Sequence, residues 1–468
     1  MRLLQASAGV RPHPWQASAV PVAVIGIAMT VACAISRPRA ADAAPPRTGR
    51  LQLRSDRIER AELVSLSPRS SRWRSAGKTF EVTAEGLLAW GRCPAAVLGP
   101  SLLLHDGSML AGRLRAWSAE QVVVESLLFG EIRLPTDAVR GWQSSSPPAA
   151  PQPSAALSMR IELTNGDILP ASSFTLAEGS RLAIVQRATD GPTAGATASL
   201  AIPTDRIQSL CVPPASAECL GLWHHQSSAI VGLQDGSRLM VASVQAAPGP
   251  LGEGEPAEGQ LRLQPVAGLA RPDRWLTCPR DAVLGLLATG DGVLPLAWLP
   301  PRDFEQTPQL GSAWPLTTAT TLTGQPLAAR GRPVFTGLGM HAAARVAYQL
   351  PDGLAAQQLL TAVAVDDSAG QGGSVRLRIR AGTGPEAASL VFESGILRGG
   401  EPPLEIAVPL DQAHWLELTV SPTDDGDVLD RTIWLEPRLL TRQTSQTGPH
   451  VPSPAASGAL QETFPGRR

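Results

Sequence analysis

Gly337-Leu-Gly-Met-His-Ala-Ala-Ala-Arg-Val-Ala-Tyr-Gln-Leu350 is a Gly-x-Gly-x-His segment leading into the strand-like run Ala344–Leu350. Similar runs follow at Leu360–Val365, Ser374–Ile379, Ser389–Phe392, Leu404–Val408, Trp415–Val420 and Arg431–Leu435, with Gly, Asp and Pro between them. About eight short strands with that punctuation predict a β-sandwich. Upstream, Leu296-Ala-Trp-Leu-Pro-Pro, Gln309-Leu-Gly-Ser-Ala-Trp-Pro-Leu and Leu327-Ala-Ala-Arg-Gly-Arg-Pro-Val-Phe form the approach to it.

Further pieces fall in order: Thr361-Ala-Val-Ala-Val-Asp-Asp-Ser, Gly373-Ser-Val-Arg-Leu-Arg-Ile, Phe392-Glu-Ser-Gly-Ile-Leu-Arg-Gly-Gly and His414-Trp-Leu-Glu-Leu-Thr-Val, then Asp424 to Trp434. As a series they resemble the NPCBM family, carbohydrate-binding modules found beside glycoside hydrolases and in bacterial envelope proteins. The resemblance covers about Val293 to Leu440, under a third of the chain. It implies a jelly-roll sandwich similar to galactose-binding-like domains, with glycan as the ligand. Family members end on Asp-His-Ala-Asp-Trp. Here Asp430-Arg-Thr-Ile-Trp434 keeps the first Asp and the Trp but lacks the His and second Asp, which weakens any ion site carried over to this corner.

A sugar site of this kind needs a flat aromatic face for the ring, with planar polar side chains around it. Trp314, Trp415, Trp434 and His341 are the carbohydrate-binding candidates, with core packing as the competing reading for each. Asp366 and Asp367, at a strand end before a Gly-rich loop, and Asp430 are candidate calcium ligands.

The chain has 468 residues, enough for two or three domains. Hydrophobic residues at 43% and charged ones at 17% exclude a disordered chain and a multi-pass membrane protein. Gly 44 and Pro 43 fall mostly between short apolar runs, as turns do in an all-β protein. A net charge of -1 gives no electrostatic reason to expect nucleic acid. None of the 5 cysteines makes a Cys-x-x-Cys, which argues against zinc. Cys211 and Cys219 flank a turn and are either a disulfide or two free thiols.

Ala17–Ile35 is uncharged, mostly apolar and just long enough to span a bilayer. Ala41-Asp42-Ala43 supplies the small-x-small pattern of a signal-peptidase site. Residues 1–45 are therefore expected to be an export signal or a single anchor plus linker, putting the chain in the periplasm, cell envelope or exterior.

Between this segment and the sandwich a repeat is visible. His105-Asp-Gly-Ser leads to Leu134-Pro-Thr-Asp-Ala-Val-Arg-Gly-Trp142, Thr164-Asn-Gly-Asp to Ile202-Pro-Thr-Asp-Arg-Ile-Gln-Ser-Leu210, and Gln234-Asp-Gly-Ser to Cys278-Pro-Arg-Asp-Ala-Val-Leu-Gly-Leu286. A degenerate first copy has Ser55-Asp56 and Val82-Thr-Ala-Glu-Gly-Leu-Leu-Ala-Trp90. Asn-Gly and Asp-Gly tolerate the positive φ of tight hairpins, and proline suits a strand leaving a ladder. Three or four small SH3-like or Sm-like barrels are expected, with a four-bladed propeller as the alternative. Copies 1 and 2 fill 50–143, a Pro/Ser-rich linker 144–157, copies 3 and 4 158–290, the module 293–441, and a disordered tail 442–468. The recurring Asp137, Asp205 and Asp281 read as turn residues, and Trp90 and Trp142 as core plugs.

There is no Gly-x-Ser-x-Gly elbow, phosphate loop, His-Glu-x-x-His or dinucleotide fingerprint. No stretch has room for a hydrolase barrel of roughly 250 residues. The expectation is a non-catalytic all-β protein that binds a glycan or polysaccharide. A structural scaffold taking protein partners through the repeats, with no sugar site, is the alternative.

Overall fold

A computed structural model describes residues 48–441, except 56, 98, 145–158, 177–180, 188–196, 213–225, 249–255, 267–274, 291, 310, 312, 324, 412 and 424–425. The N-terminal segment, nearly all of the linker, Cys219, Asp424, Asp425 and the tail lie outside the described residues.

The repeat copies are built alike. The first runs β1 (Gly49–Leu53), β2 (Arg57–Leu66), β3 (Ser70–Ser75), β4 (Lys78–Thr83) and β5 (Leu87–Gly91). The second runs β6 (Ser101–Leu104), β7 (Met109–Ala111), β8 (Arg113–Trp117), β9 (Gln121–Ser126), β10 (Gly130–Pro135) and β11 (Val139–Gln143). The third runs β12 (Arg160–Leu163), β13 (Ile168–Pro170), β14 (Ser173–Leu176), β15 (Arg181–Arg187), β16 (Thr197–Pro203) and β17 (Ile207–Cys211). The fourth runs β18 (Ala229–Leu233), β19 (Arg238–Pro248), β20 (Pro256–Pro265), β21 (Leu276–Pro279) and β22 (Val283–Ala288). Gly107, Gly166 and Gly236 hold φ of 91°, 89° and 89° in the first turns of copies two to four, a conformation side chains oppose. The Pro-x-Asp endings form single 3₁₀ turns, as Ala84–Gly86 does in the first copy, and return the last strand beside the first. The long second strand is continuous in copies one and four and interrupted in the other two. This is SH3-like strand order.

The copies do not stand apart. Last strands pair antiparallel with one another, β5 with β22 and β11 with β17. Copies two and three also join through β8 and β14, and copies one and four through β2 and β19. The result is one 16-stranded sheet with a 6-stranded partner, around a shared core that includes Trp73, Trp90, Trp117 and Trp142.

The C-terminal third continues with β23 (Val293–Pro295), β24 (Asp303–Gln306), β25 (Thr317–Thr318), β26 (Ala328–Ala329), β27 (Arg332–Pro333), β28 (Gly337–His341), β29 (Ala344–Gln349) and β30 (Ala356–Val365). After these come β31 (Ser374–Gly382), β32 (Ser389–Glu393), β33 (Leu397–Arg398), β34 (Leu404–Pro409), β35 (Trp415–Pro422) and β36 (Arg431–Thr441). One sheet has the order β25-β28-β36-β30-β34, with β23 beside β36; the other has β24-β29-β35-β31-β32, with β33 beside β31. Leu338, Met340, Tyr348, Leu359, Leu418 and Trp434 fill the space between them.

The sandwich rests directly on the repeats. Phe335 packs with Cys93, Ile230, Met240 and Leu287, and Val293 and Leu440 pack with Leu88. Arg438 Nη1 donates to Leu88 O (3.0 Å), and Arg238 Nη1 donates to Val334 O (3.0 Å).

Candidate functional site

One end of the sandwich gathers the loops after β24, β28 and β30 and the segment before β36. His341 ends β28, where alternation puts Leu338 and Met340 into the core and turns His341 to the opposite face. Its ring stacks on Trp314, with centroids 5.6 Å apart and planes 7° from parallel. His341 Nδ1 donates to Ala342 O (2.6 Å), which leaves Nε2 as the ring's second hydrogen-bonding atom. Trp314 sits in the loop before β25 and is partly exposed.

The carboxamide of Gln306, at the end of β24, holds the pair in place. Its Oε1 accepts from Trp314 N (2.9 Å) and its Nε2 donates to Ala342 O (3.1 Å). Sequence reasoning missed Gln306; its only signal is its place at the end of Asp303-Phe-Glu-Gln306, next to the loop that bears Trp314. Nearby, Asp427 Oδ2 accepts from Gln309 N (2.7 Å) and ties the Trp314 loop to the segment before β36.

The other two aromatic candidates are elsewhere. Trp434 is 0% exposed, because its position on β36 points between the sheets. Trp415 is 8% exposed and packs with Ala347 and Ala388. Neither ring has a face for a sugar, and both are core residues, as burial of large apolar area favours.

The three aspartates also differ from the expected arrangement. Asp367 spends its carboxylate on the N–H groups of Arg330 and Gly331, each at 2.7 Å. Asp366 Oδ1 accepts from Ser368 N (2.8 Å), an N-terminal cap, and Asp430 Oδ1 accepts from Ser374 N (2.7 Å). No group of three or more His, Cys, Asp or Glu placed to hold a metal ion occurs among the described residues. Each of these carboxylates holds a turn or loop through backbone N–H groups.

Cys93, Cys211 and Cys278 are free thiols. Of the two arginines facing Glu417 across the outer face of the second sheet, Arg345 is at 3.2 Å and Arg380 at 3.6 Å, and Arg345 also reaches Glu305 at 3.6 Å, next to Gln306.

No curated protein matches the chain. Among solved structures it is similar to CBM51 of Clostridium perfringens GH95 in complex with methyl-galactose, at 19% identity over 31% of this chain and 99% of that one, with a TM-score of 0.28. It is also similar to the CBM51-2 and INT domains of Clostridium perfringens ZmpB in complex with GlcNAc, at 16% identity, 42% of this chain, 40% of that one and a TM-score of 0.28. A third is the tandem CBM51 modules of the family 98 glycoside hydrolase from Streptococcus pneumoniae, at 11% identity, 73% of this chain, 88% of that one and a TM-score of 0.28. The NPCBM/NEW2 family matches residues 297–440. The C-terminal third of the chain is an NPCBM/NEW2 domain.

Proposed function

We propose that the protein is a non-catalytic glycan-binding protein of the bacterial envelope or exterior, with its saccharide site at the loop end of the NPCBM domain. The observation that carries this reading is the partly exposed Trp314, stacked on His341 and braced by Gln306. An indole held flat by a second ring loses little freedom when a sugar covers its open face. Beyond their bracing bonds, Gln306 keeps the second N–H of its Nε2, and His341, 7% exposed, keeps its Nε2, groups suited to hydroxyls.

The test is a glycan array with the full-length protein, followed by titration with methyl-galactose and N-acetylglucosamine, sugars bound by similar domains. Binding is expected to weaken about tenfold or more in Trp314→Ala, in line with loss of a stacking anchor. Silence across a broad array, with the protein shown to be folded, would remove the reading and leave a scaffold.

A further inference from the structure

A cleft of about 600 Å³ lies between the first repeat copy and the outer face of the sandwich. Gln52 borders it from the repeat side, and Gln357 and Gln358 from β30. Leu359 points into the sandwich core, so alternation turns Gln358 and Leu360 outward into the cleft. Leu53, Leu360 and Leu440 supply its apolar lining. From Gln358 along β30 to Asp366, just past its end, is eight residue steps, about 26 Å at roughly 3.3 Å per residue. The cleft is therefore a separate place from the Trp314 loop end, at the other end of the same sheet.

Its walls are fixed. Arg54 donates to the carbonyls of Gly292 and Thr441, and Arg438 to that of Leu88, on either side of the junction. A preformed cleft of mixed polar and apolar lining loses little order when it is filled.

The chemistry narrows the ligand. Each of the two arginines at the cleft has a carboxylate beside it, Arg57 with Glu405 at 3.4 Å and Arg54 with Glu85, and Arg54 also donates to those carbonyls. That leaves no strong preference for an anion. The three carboxamides make no side-chain hydrogen bond among the described residues, and each offers a donor and an acceptor in one plane, the pattern that pairs with vicinal hydroxyls. For an extended peptide, β1, β30 and β36 are paired on both edges, and the one open ladder beside the cleft is the outer edge of β34, which carries Ala407.

We infer that this cleft is a second saccharide site, taking a neutral polysaccharide that also reaches the Trp314 end of the same protein. The inference rests on the glycan-binding reading above. Two weak sites at opposite ends of one rigid sheet hold one long chain more tightly than either does alone.

The experiment is affinity electrophoresis of the full-length protein through xylan, galactan, mannan and mixed-linkage glucan, with alginate as the anionic comparison. The variants are Gln52→Ala/Gln358→Ala, Trp314→Ala and the three changes together, each checked by thermal melting. Retardation by a neutral polymer is expected to fall about tenfold for the cleft pair, as two hydrogen bonds to ligand are lost, and to vanish in the triple variant. A cleft variant retarded like the wild type, beside a Trp314→Ala protein that has lost all retardation, overturns the cleft and leaves the first site intact. Stronger retardation by alginate, or capture of extended peptides that depends on Gln52 and Gln358, also overturns it. No retardation of the wild type by any polymer removes both sites.

Discussion

Trp314, Trp415 and Trp434 look alike in the sequence, and their surroundings separate them. Trp434 lies within a long strand whose period-two alternation sends it inward, while Trp314 sits in a loop where no ladder dictates its direction. Trp434→Ala is expected to cost about 3–5 kcal/mol in denaturant unfolding, and Trp314→Ala under about 1 kcal/mol. Equal losses for the two would put Trp314 in the core and take away the sugar platform. The buried thiols add a pH effect. Burial pushes Cys93 and Cys278 up to about 12 from an ordinary 9.0. The unfolded chain therefore releases these protons first, and stability falls as pH rises from about 9 toward 12. Cys93→Ala/Cys278→Ala should flatten that slope, and mass mapping after brief iodoacetamide treatment should find both positions unlabelled until urea is added. Labelling of either at pH 8 in the folded protein contradicts their burial.

At the scale of elements, the shared endings carry more than a turn. The third residue of each copy's last strand is Ala89, Gly141, Ser209 or Gly285, small in every copy, and it is where last strands of two copies meet. A Cβ on Gly285 would lie 2.5 Å from Arg92 backbone atoms, and one on Gly141 2.3 Å from Leu210 O. Gly285→Val is expected to destabilise by about 1–3 kcal/mol or more through overpacking, measured by urea unfolding, with no loss for Gly77→Val beyond its turn strain. The Asp-Gly-Ser turns clasp each other in the same way: Met240 N donates to Ser108 Oγ and Ala111 N to Ser237 Oγ, both at 2.9 Å. Copy three has Asn-Gly-Asp instead, and its turn is exposed, with the side chains of Asn165 and Asp167 bonded within the turn itself. Ser108→Ala/Ser237→Ala should cost about 2–5 kcal/mol, since each change strands a backbone N–H. The strands, turns and repeat were legible because period-two alternation and Gly/Pro chemistry are local. Pairing between copies was not, because it is set by contacts such as Ser108 with Met240, 132 positions apart. The same holds for the site: His341 was legible from its motif, whereas Gln306 acts through an Ala342 carbonyl that no side-chain pattern marks.

At the scale of the whole molecule, the sandwich is packed against the repeats rather than held away from them. β23 joins the sandwich sheet immediately after the fourth copy ends, so the connection is a strand and not a spacer. Arg438 is the deepest link: it is buried, its pKa is pushed down by that burial, and its donated bond satisfies Leu88 O. Phe335 makes the apolar part of the same junction, against Ile230, Met240 and Leu287. With both contacts in place the two cores are expected to unfold together, as one calorimetric transition. Arg438→Ala leaves the Leu88 carbonyl unpaired at a cost of about 1–3 kcal/mol, and Phe335→Ala opens a cavity worth about 3–5 kcal/mol. The double variant should therefore unfold in two transitions, with the NPCBM domain and the repeats melting separately. Two transitions already present in the wild type would mean that the junction is too weak to couple the cores, and that the cleft beside it has no fixed walls.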